Sequence, residues 1–296
     1  MLVLTGGNGR LGRMVSGLVR DKIGPTFAVT ARDAAKAADL AAAGISVRQG
    51  DYSDAAAMER AFAGADTILL ISGDTPNEVR IVQHKNAIDA AKRAGVRHIY
   101  TSFLACQPDS PFPYAKVHRE TEALLRDSGL AFTIMRDSYF SETIMMVVER
   151  ALNTGVVCHA AGAGRVAWCS RRDSARALAA VLTSSGHEGK TYSLTGPATY
   201  TFADVATVLS AVSGKNYPYR PVSPADYAEH LRTTKPDVPS SVENWVGSAA
   251  AIKRGDFDLL TQDIANLTGT PPEDAMAFLR RELMDGPPSR AKAIRG

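Results

Sequence analysis

Cysteine is scarce in this chain: 296 residues hold three, Cys106, Cys158 and Cys169. An odd number without metal-ligand spacing argues for reduced thiols, against a disulfide framework or a metal site, and none sits in a nucleophile motif. Strong charge of either sign is missing as well. A formal net charge of +3, spread along the chain, leaves no basic face for nucleic acid and no patch for an anionic membrane. Nor is there an apolar run near the roughly 18 residues that a bilayer-crossing helix needs. No targeting segment precedes the first apolar run, so the expectation is a cytoplasmic protein with neither a membrane nor a nucleic-acid partner. Internal repeats and low-complexity linkers are also lacking. What remains is an ordinary globular composition, 45% hydrophobic and 22% charged, in which length does not choose between one domain and two.

Glycine is what the N-terminus has in plenty. "LVLT" reads as a short buried strand, and Leu11, Met14, Val15, Leu18 and Val19 recur at helical spacing just after it. Between them, Gly7-Asn8-Gly9-Arg10-Leu11-Gly12 fits the G-x-G-x-x-G pattern, while Gly6, Gly9 and Gly12 fit a G-x-x-G-x-x-G variant. In either register the first glycine makes the tight turn, the middle one lets a pyrophosphate approach the helix amides, and the last lets helix pack on strand. Such a pattern also fits a ligand-free turn. Its place after the first strand, with a second strand following the helix, favours the dinucleotide reading.

Short apolar runs then alternate with helical patterns, the signature of β-α-β units. "TFAVTA", "ISVRQG", "TILLIS", "HIYTSF" and "AFTIMR" are the further strands. The helices are "AAKAADLAAAG", "AAAMERAFAG", "EVRIVQHKNAIDAAKRAG" and "AKVHRETEALLRDSG", several closed by glycine. The expected fold class is α/β, a doubly wound parallel sheet of the Rossmann type over residues 1–150. From about residue 150 the pattern loosens and prolines accumulate, with "YTFADVATVLSAVSG" and "PEDAMAFLRREL" as helices. Residues 151–296 are therefore expected to form a smaller C-terminal α/β lobe that faces substrate and packs on the sheet.

The end of the second strand sets cofactor choice, because an acid there takes the ribose hydroxyls of NAD and a base accommodates the 2′-phosphate of NADP. "VTARD" places Arg32 where the acid would stand, which predicts NADP(H), with Arg10 and Lys36 adding to a basic rim. Asp51, after the third strand, has two readings: contact with the adenine amino group, or a cap or turn role in "GDYSD". In "YTSFLACQPDSPFPYAKVHRETEAL", Ser102, Tyr114 and Glu122 lie at the spacing of the Ser…Tyr-x-x-x-Lys arrangement of short-chain reductases. The lysine position is His118, and Lys116 faces away from Tyr114 on a helix. A histidine near pKa 6.5 supplies the cation a phenol needs only part of the time. The catalytic set is thus Tyr114, Ser102 and His118, against a reading in which Tyr114 is a loop or cap residue and His118 merely lines a pocket.

Taken in order, the glycine turn, "VTARD", "RQGDYSD", "LLISG", "VRIVQHKNAIDAAKRAGVRHIYTS", "HRETEALLRDSGLAFTIMRDSYFSE", "RRDSARALAAVL" and "GKTYSLTGPATYTFADVATVLSAVSGK" resemble the atypical short-chain dehydrogenases of the NmrA-like group. Within it, the chain is most similar to the quinone oxidoreductase type 2 and triphenylmethane reductase branch. The likeness runs over nearly the whole chain. It implies a Rossmann domain holding NADP(H), with the C-terminal lobe over the nicotinamide. Gly6, Gly9, Gly12 and Arg32 match dinucleotide positions, with Arg10 and Leu11 in the same turn. Ser72 and Gly73 match the loop along the cofactor, Ser102 and Phe103 the loop at its nicotinamide end, and His118 the histidine this branch has in place of lysine. Tyr114 and Asp137 depart from it, where an aliphatic residue and an asparagine are usual.

Three functions follow as expectations. The first is an NADPH-dependent reductase delivering hydride to a small conjugated acceptor such as a quinone. The second is a carbonyl or alcohol oxidoreductase using Tyr114 and Ser102 as acid machinery. The third is a non-catalytic NADP-binding regulator. A homodimer is compatible with the resemblance.

Overall fold

The alternating runs become strands and helices in the computed structural model, which describes residues 1–234 and 241–285. The strands are β1 (Leu2–Leu4), β2 (Ala28–Ala31), β3 (Ser46–Gln49), β4 (Thr67–Leu70), β5 (Arg97–Phe103), β6 (Phe132–Asp137), β7 (Val157–His159), β8 (Thr191–Leu194) and β9 (Tyr219–Pro221). Seven of them form a parallel sheet in the order β3-β2-β1-β4-β5-β6-β8. Every residue of β1, β2 and β4 is buried, as expected for central parallel strands covered on both faces.

The first helices are α1 (Arg10–Ile23), α2 (Ala38–Ala42), α3 (Ala55–Phe62), α4 (Asn77–Ala94), α5 (Ala115–Arg126), α6 (Ile144–Thr154) and α7 (Arg171–Leu182). Then come α8 (Phe202–Ser213), α9 (Pro224–Thr234), α10 (Val242–Arg254), α11 (Asp263–Thr268) and α12 (Ala275–Asp285). One face of the sheet is covered through Val15 and Val19 of α1 and Leu178 and Val181 of α7. The other is covered through Met58 and Phe62 of α3, Ala87 and Ile88 of α4, and Leu125 of α5. The chain starts in the middle at β1, builds outward to β3, then crosses to β4 on the other side. This reversal between β1 and β4 opens the crevice where doubly wound sheets bind ligands, beyond the carboxyl ends of the strands.

Part of the chain beyond residue 150 belongs to the main sheet. Residues of α7 and β8 return to the main sheet, where β8 pairs with β6 as its last strand. The C-terminal part adds a two-stranded parallel ribbon, β7 with β9. Its main apolar cluster joins Trp168, Phe257 and Leu279 to Leu104, Phe112 and Ala115 from the N-terminal half. The lobe and the loops after β5 are therefore anchored in shared core, which holds the upper rim of the crevice against the sheet.

Candidate active site

The glycine turn is built for close approach. A Cβ on Gly12 would lie 2.2 Å from the carbonyl oxygen of Gly6, so α1 can sit this near β1 only because residue 12 has no side chain. Gly6 itself has φ +63°, in the left-handed region. A Cβ on Gly9, by contrast, would meet only the Gly6 oxygen, at 3.2 Å, and otherwise point into open space. Gly9 is the N-cap of α1 and offers no capping side chain, and the first turn holds no acid. The leading amides of α1 lack intrahelical partners, and with the helix dipole behind them they form an anion site.

That turn is one wall of a chamber of about 670 Å3. Gly6, Gly9, Arg10, Leu11, Gly12, Arg32, Asp51, Ser72 and Gly73 all line it. Arg32 stands exposed one residue beyond β2, with no ion pair to any described residue. Asp51 makes the turn, since its Oδ1 accepts from the Ser53 amide at 2.8 Å, while it also lines the chamber. Lys36 lies outside, its carbonyl taken by Arg13 at 2.8 Å.

Ser102 and Phe103 are not in this chamber but in an adjoining one of about 710 Å3, with Tyr114, His118 and Asp137. The two share Leu11, the Ile71–Thr75 segment, Phe140 and Arg171, so they form one continuous cleft. Sequence reading missed Phe140 and Arg171 as site residues. Arg171 lies 4.7 Å from the centroid of the Phe140 ring and is paired with Glu142 at 3.4 Å. Both stand in motifs that carried the family likeness, but no spacing rule marks them.

Within the second chamber the expected roles change. Ser102 is buried and its hydroxyl donates to Glu122 at 2.7 Å, so it is engaged rather than free for a substrate carbonyl. Burial alone would raise the Glu122 carboxyl, but hydrogen bonds from Arg136 and Ser102 hold it below the usual value. Burial of the His118 ring pushes its pKa down to about 3, which favours the neutral ring over the expected cation. Its Nδ1 lies 2.8 Å from the Tyr100 hydroxyl. Tyr114 stands at the N-cap of α5, and its hydroxyl accepts from Nδ2 of Asn244 at 3.3 Å. Lys116 points outward to Glu78, at 2.7 Å. Asp137 sits at the end of β6 beside Phe103 of β5 and accepts from the Ser174 hydroxyl at 2.6 Å. Burial pushes its pKa up to about 7, against the Ser174 hydrogen bond and the Arg171 charge.

With this geometry in place, the relatives can be set beside it. A family profile described as NAD(P)H-binding matches residues 6–185. Quinone oxidoreductase 2 of Escherichia coli is 38% identical over 275 residues, covering 92% of this chain and 94% of that protein. NAD(P)H azoreductase of Xenophilus azovorans is 28% identical over 282 residues, covering 95% and 97%. Among solved structures, the NADPH-dependent quinone oxidoreductase of Escherichia coli complexed with NADPH is similar at TM-score 0.89 and 36% identity, covering 94% of this chain and 98% of that one. The Citrobacter sp. triphenylmethane reductase complexed with NADP(H) is similar at TM-score 0.88 and 32% identity, covering 96% and 100%. No helix among the described residues is long and apolar enough to cross a membrane.

Proposed function

The chain belongs to the NAD(P)H-binding family, and from that premise we propose that it is an NADPH-dependent reductase of conjugated aromatic acceptors, of the quinone or azo class. The observation that carries this is the shared wall of the two chambers. A ligand held at the α1 amides and long enough to cross Ile71, Ser72 and Gly73 presents its far end to a chamber walled by Phe103, Phe140 and Tyr114.

The residues present fit the dinucleotide. The uncapped α1 amides and the bare Gly9 would receive its pyrophosphate, and the Arg32 guanidinium would receive a 2′-phosphate. When bound, NADPH supplies the hydride. Phe103 and Phe140 give a flat acceptor apolar walls and exclude water around it. We assign the Tyr100 hydroxyl as the donor to Nδ1, which would leave the proton of the neutral His118 ring on Nε2. That N–H is a fixed, neutral donor for the acceptor atom on which charge develops. Tyr114 brings a hydroxyl to the same space. A conjugated acceptor can then draw its proton from water, so the chemistry does not require Ser102 or a lysine.

Anaerobic stopped-flow oxidation of bound NADPH tests the reading against quinones, azo dyes, aldehydes and ketones. Quinones or azo compounds should speed oxidation far above buffer, and simple carbonyls should not. If nothing in the panel speeds it, the regulator reading replaces this one.

A further inference from the structure

Two arginines line the acceptor chamber, and they are neutralised very differently. Arg171 has its carboxylate in Glu142. Arg80, on the first turns of α4, is only 6% exposed and forms no ion pair with any described residue. Its Nε and Nη2 both donate to the carbonyl of Thr75, at 3.0 and 2.6 Å. The guanidinium lies 5.3 Å from the centroid of the Tyr114 ring. Nη1 makes no hydrogen bond to any described residue and is not among the enclosed atoms, and Arg80 lines the cleft.

A guanidinium keeps its charge at any physiological pH, and one carbonyl with an aromatic face compensates a buried charge incompletely. The other carboxyls on this wall are Asp74, exposed and short of ion-pair contact, and Asp137, which retains its proton up to about pH 7. An entering anion would therefore find a desolvated donor already oriented by Thr75 and Tyr114.

We propose that Arg80 makes the chamber select acceptors bearing a carboxylate, sulfonate or phosphate beside the conjugated ring, anchored through Nη1. The inference rests on the reductase reading for the word acceptor. The binding preference stands apart from turnover. Arg80 does not line the dinucleotide chamber, so the cofactor phosphates are not the anion in question.

Binding is tested by calorimetric titration of NADP+-saturated protein with naphthalene sulfonate and with its neutral isostere, naphthalene sulfonamide. The sulfonate should bind at least about tenfold more tightly, the worth of one charged hydrogen bond. Arg80→Gln should remove that preference and Arg80→Lys should keep part of it. In turnover, the ratio of kcat/KM for a naphthoquinone sulfonate over the parent naphthoquinone should fall about tenfold in Arg80→Gln. Equal affinities in the unmodified protein overturn the proposal, even if no variant folds. So does a ratio that is unchanged because both substrates lose in step, or a variant that loses only NADPH affinity. If neither quinone is reduced but the sulfonate preference is present, the reductase reading fails and the anion site stands.

Discussion

The Tyr100 hydroxyl and the Nδ1 of His118 face each other at 2.8 Å inside the protein, one on β5 and the other on α5. His118 stands where the short-chain reductase pattern places a lysine cation, and its burial favours the neutral imidazole. Its ring should therefore not titrate across the working range. In 15N NMR of selectively labelled protein, His118 should show a protonated Nε2 and an accepting Nδ1 from about pH 5 to 8. Tyr100→Phe should lose that signature and cost about 1 to 3 kcal/mol by stranding a buried acceptor. A His118 resonance that titrates near 6.5 would remove the neutral-donor role.

Asp137 makes the opposite demand on pH. Its folded pKa, about 7, lies above the unfolded value of about 3.9, so the folded state is the better proton binder between them. Its contribution to stability is full below the unfolded value and is lost as pH rises through about 7. Asp137→Asn keeps an acceptor for Ser174 without a charge. Urea unfolding should show the variant gaining on the parent between about pH 5 and pH 8 by on the order of 2 to 3 kcal/mol. The same difference at both pH values would mean that the carboxyl is not held protonated.

What the sequence made legible was whatever the local backbone demands. Gly12 must be glycine because a Cβ would strike Gly6, and a strand-to-helix turn with that constraint can be read from spacing alone. The character of the second chamber could not be read this way. The burial of His118 against Tyr100 and the engagement of Ser102 by Glu122 depend on how α5 lies over β5. Of the two ion pairs that hold Glu122, the one across elements comes from Arg136 on β6, fixed by a register that sets Ser102 opposite Arg136. That β8 joins the main sheet was not legible for a similar reason. "TYSL" looks like any short strand, and only the free edge of β6 makes it part of the main sheet.

Cofactor choice turns on Arg32. Arg32 makes no ion pair with any described residue, and the neighbouring Asp33 carboxylate is taken by the Ala35 amide, so the Arg32 guanidinium is available to a 2′-phosphate. NADPH should bind at least about tenfold more tightly than NADH, and Arg32→Ala should remove most of the difference by weakening NADPH alone. Equal affinities for the two cofactors in the unmutated protein would exclude this role.

The middle and last glycines of the turn should fail in different ways when enlarged. At Gly12 a Cβ would meet backbone, 2.2 Å from the Gly6 oxygen and 2.9 Å from its carbon, and backbone cannot swing aside as a side chain can. Gly12→Val must therefore push α1 away from β1 and open the core around Val15 and Val19, at a cost of about 2 to 5 kcal/mol. At Gly9 the backbone is extended, with φ −76°, and a side chain would enter the chamber instead of the protein. Gly9→Val should leave the melting temperature within a few degrees of the parent, yet abolish NADPH binding by filling the space in front of the α1 amides. Thermal unfolding and NADPH titration of both variants separate the cases. If Gly9→Val retains NADPH affinity with an unchanged far-ultraviolet spectrum, the phosphate does not sit at this helix, and the cofactor must enter the cleft another way.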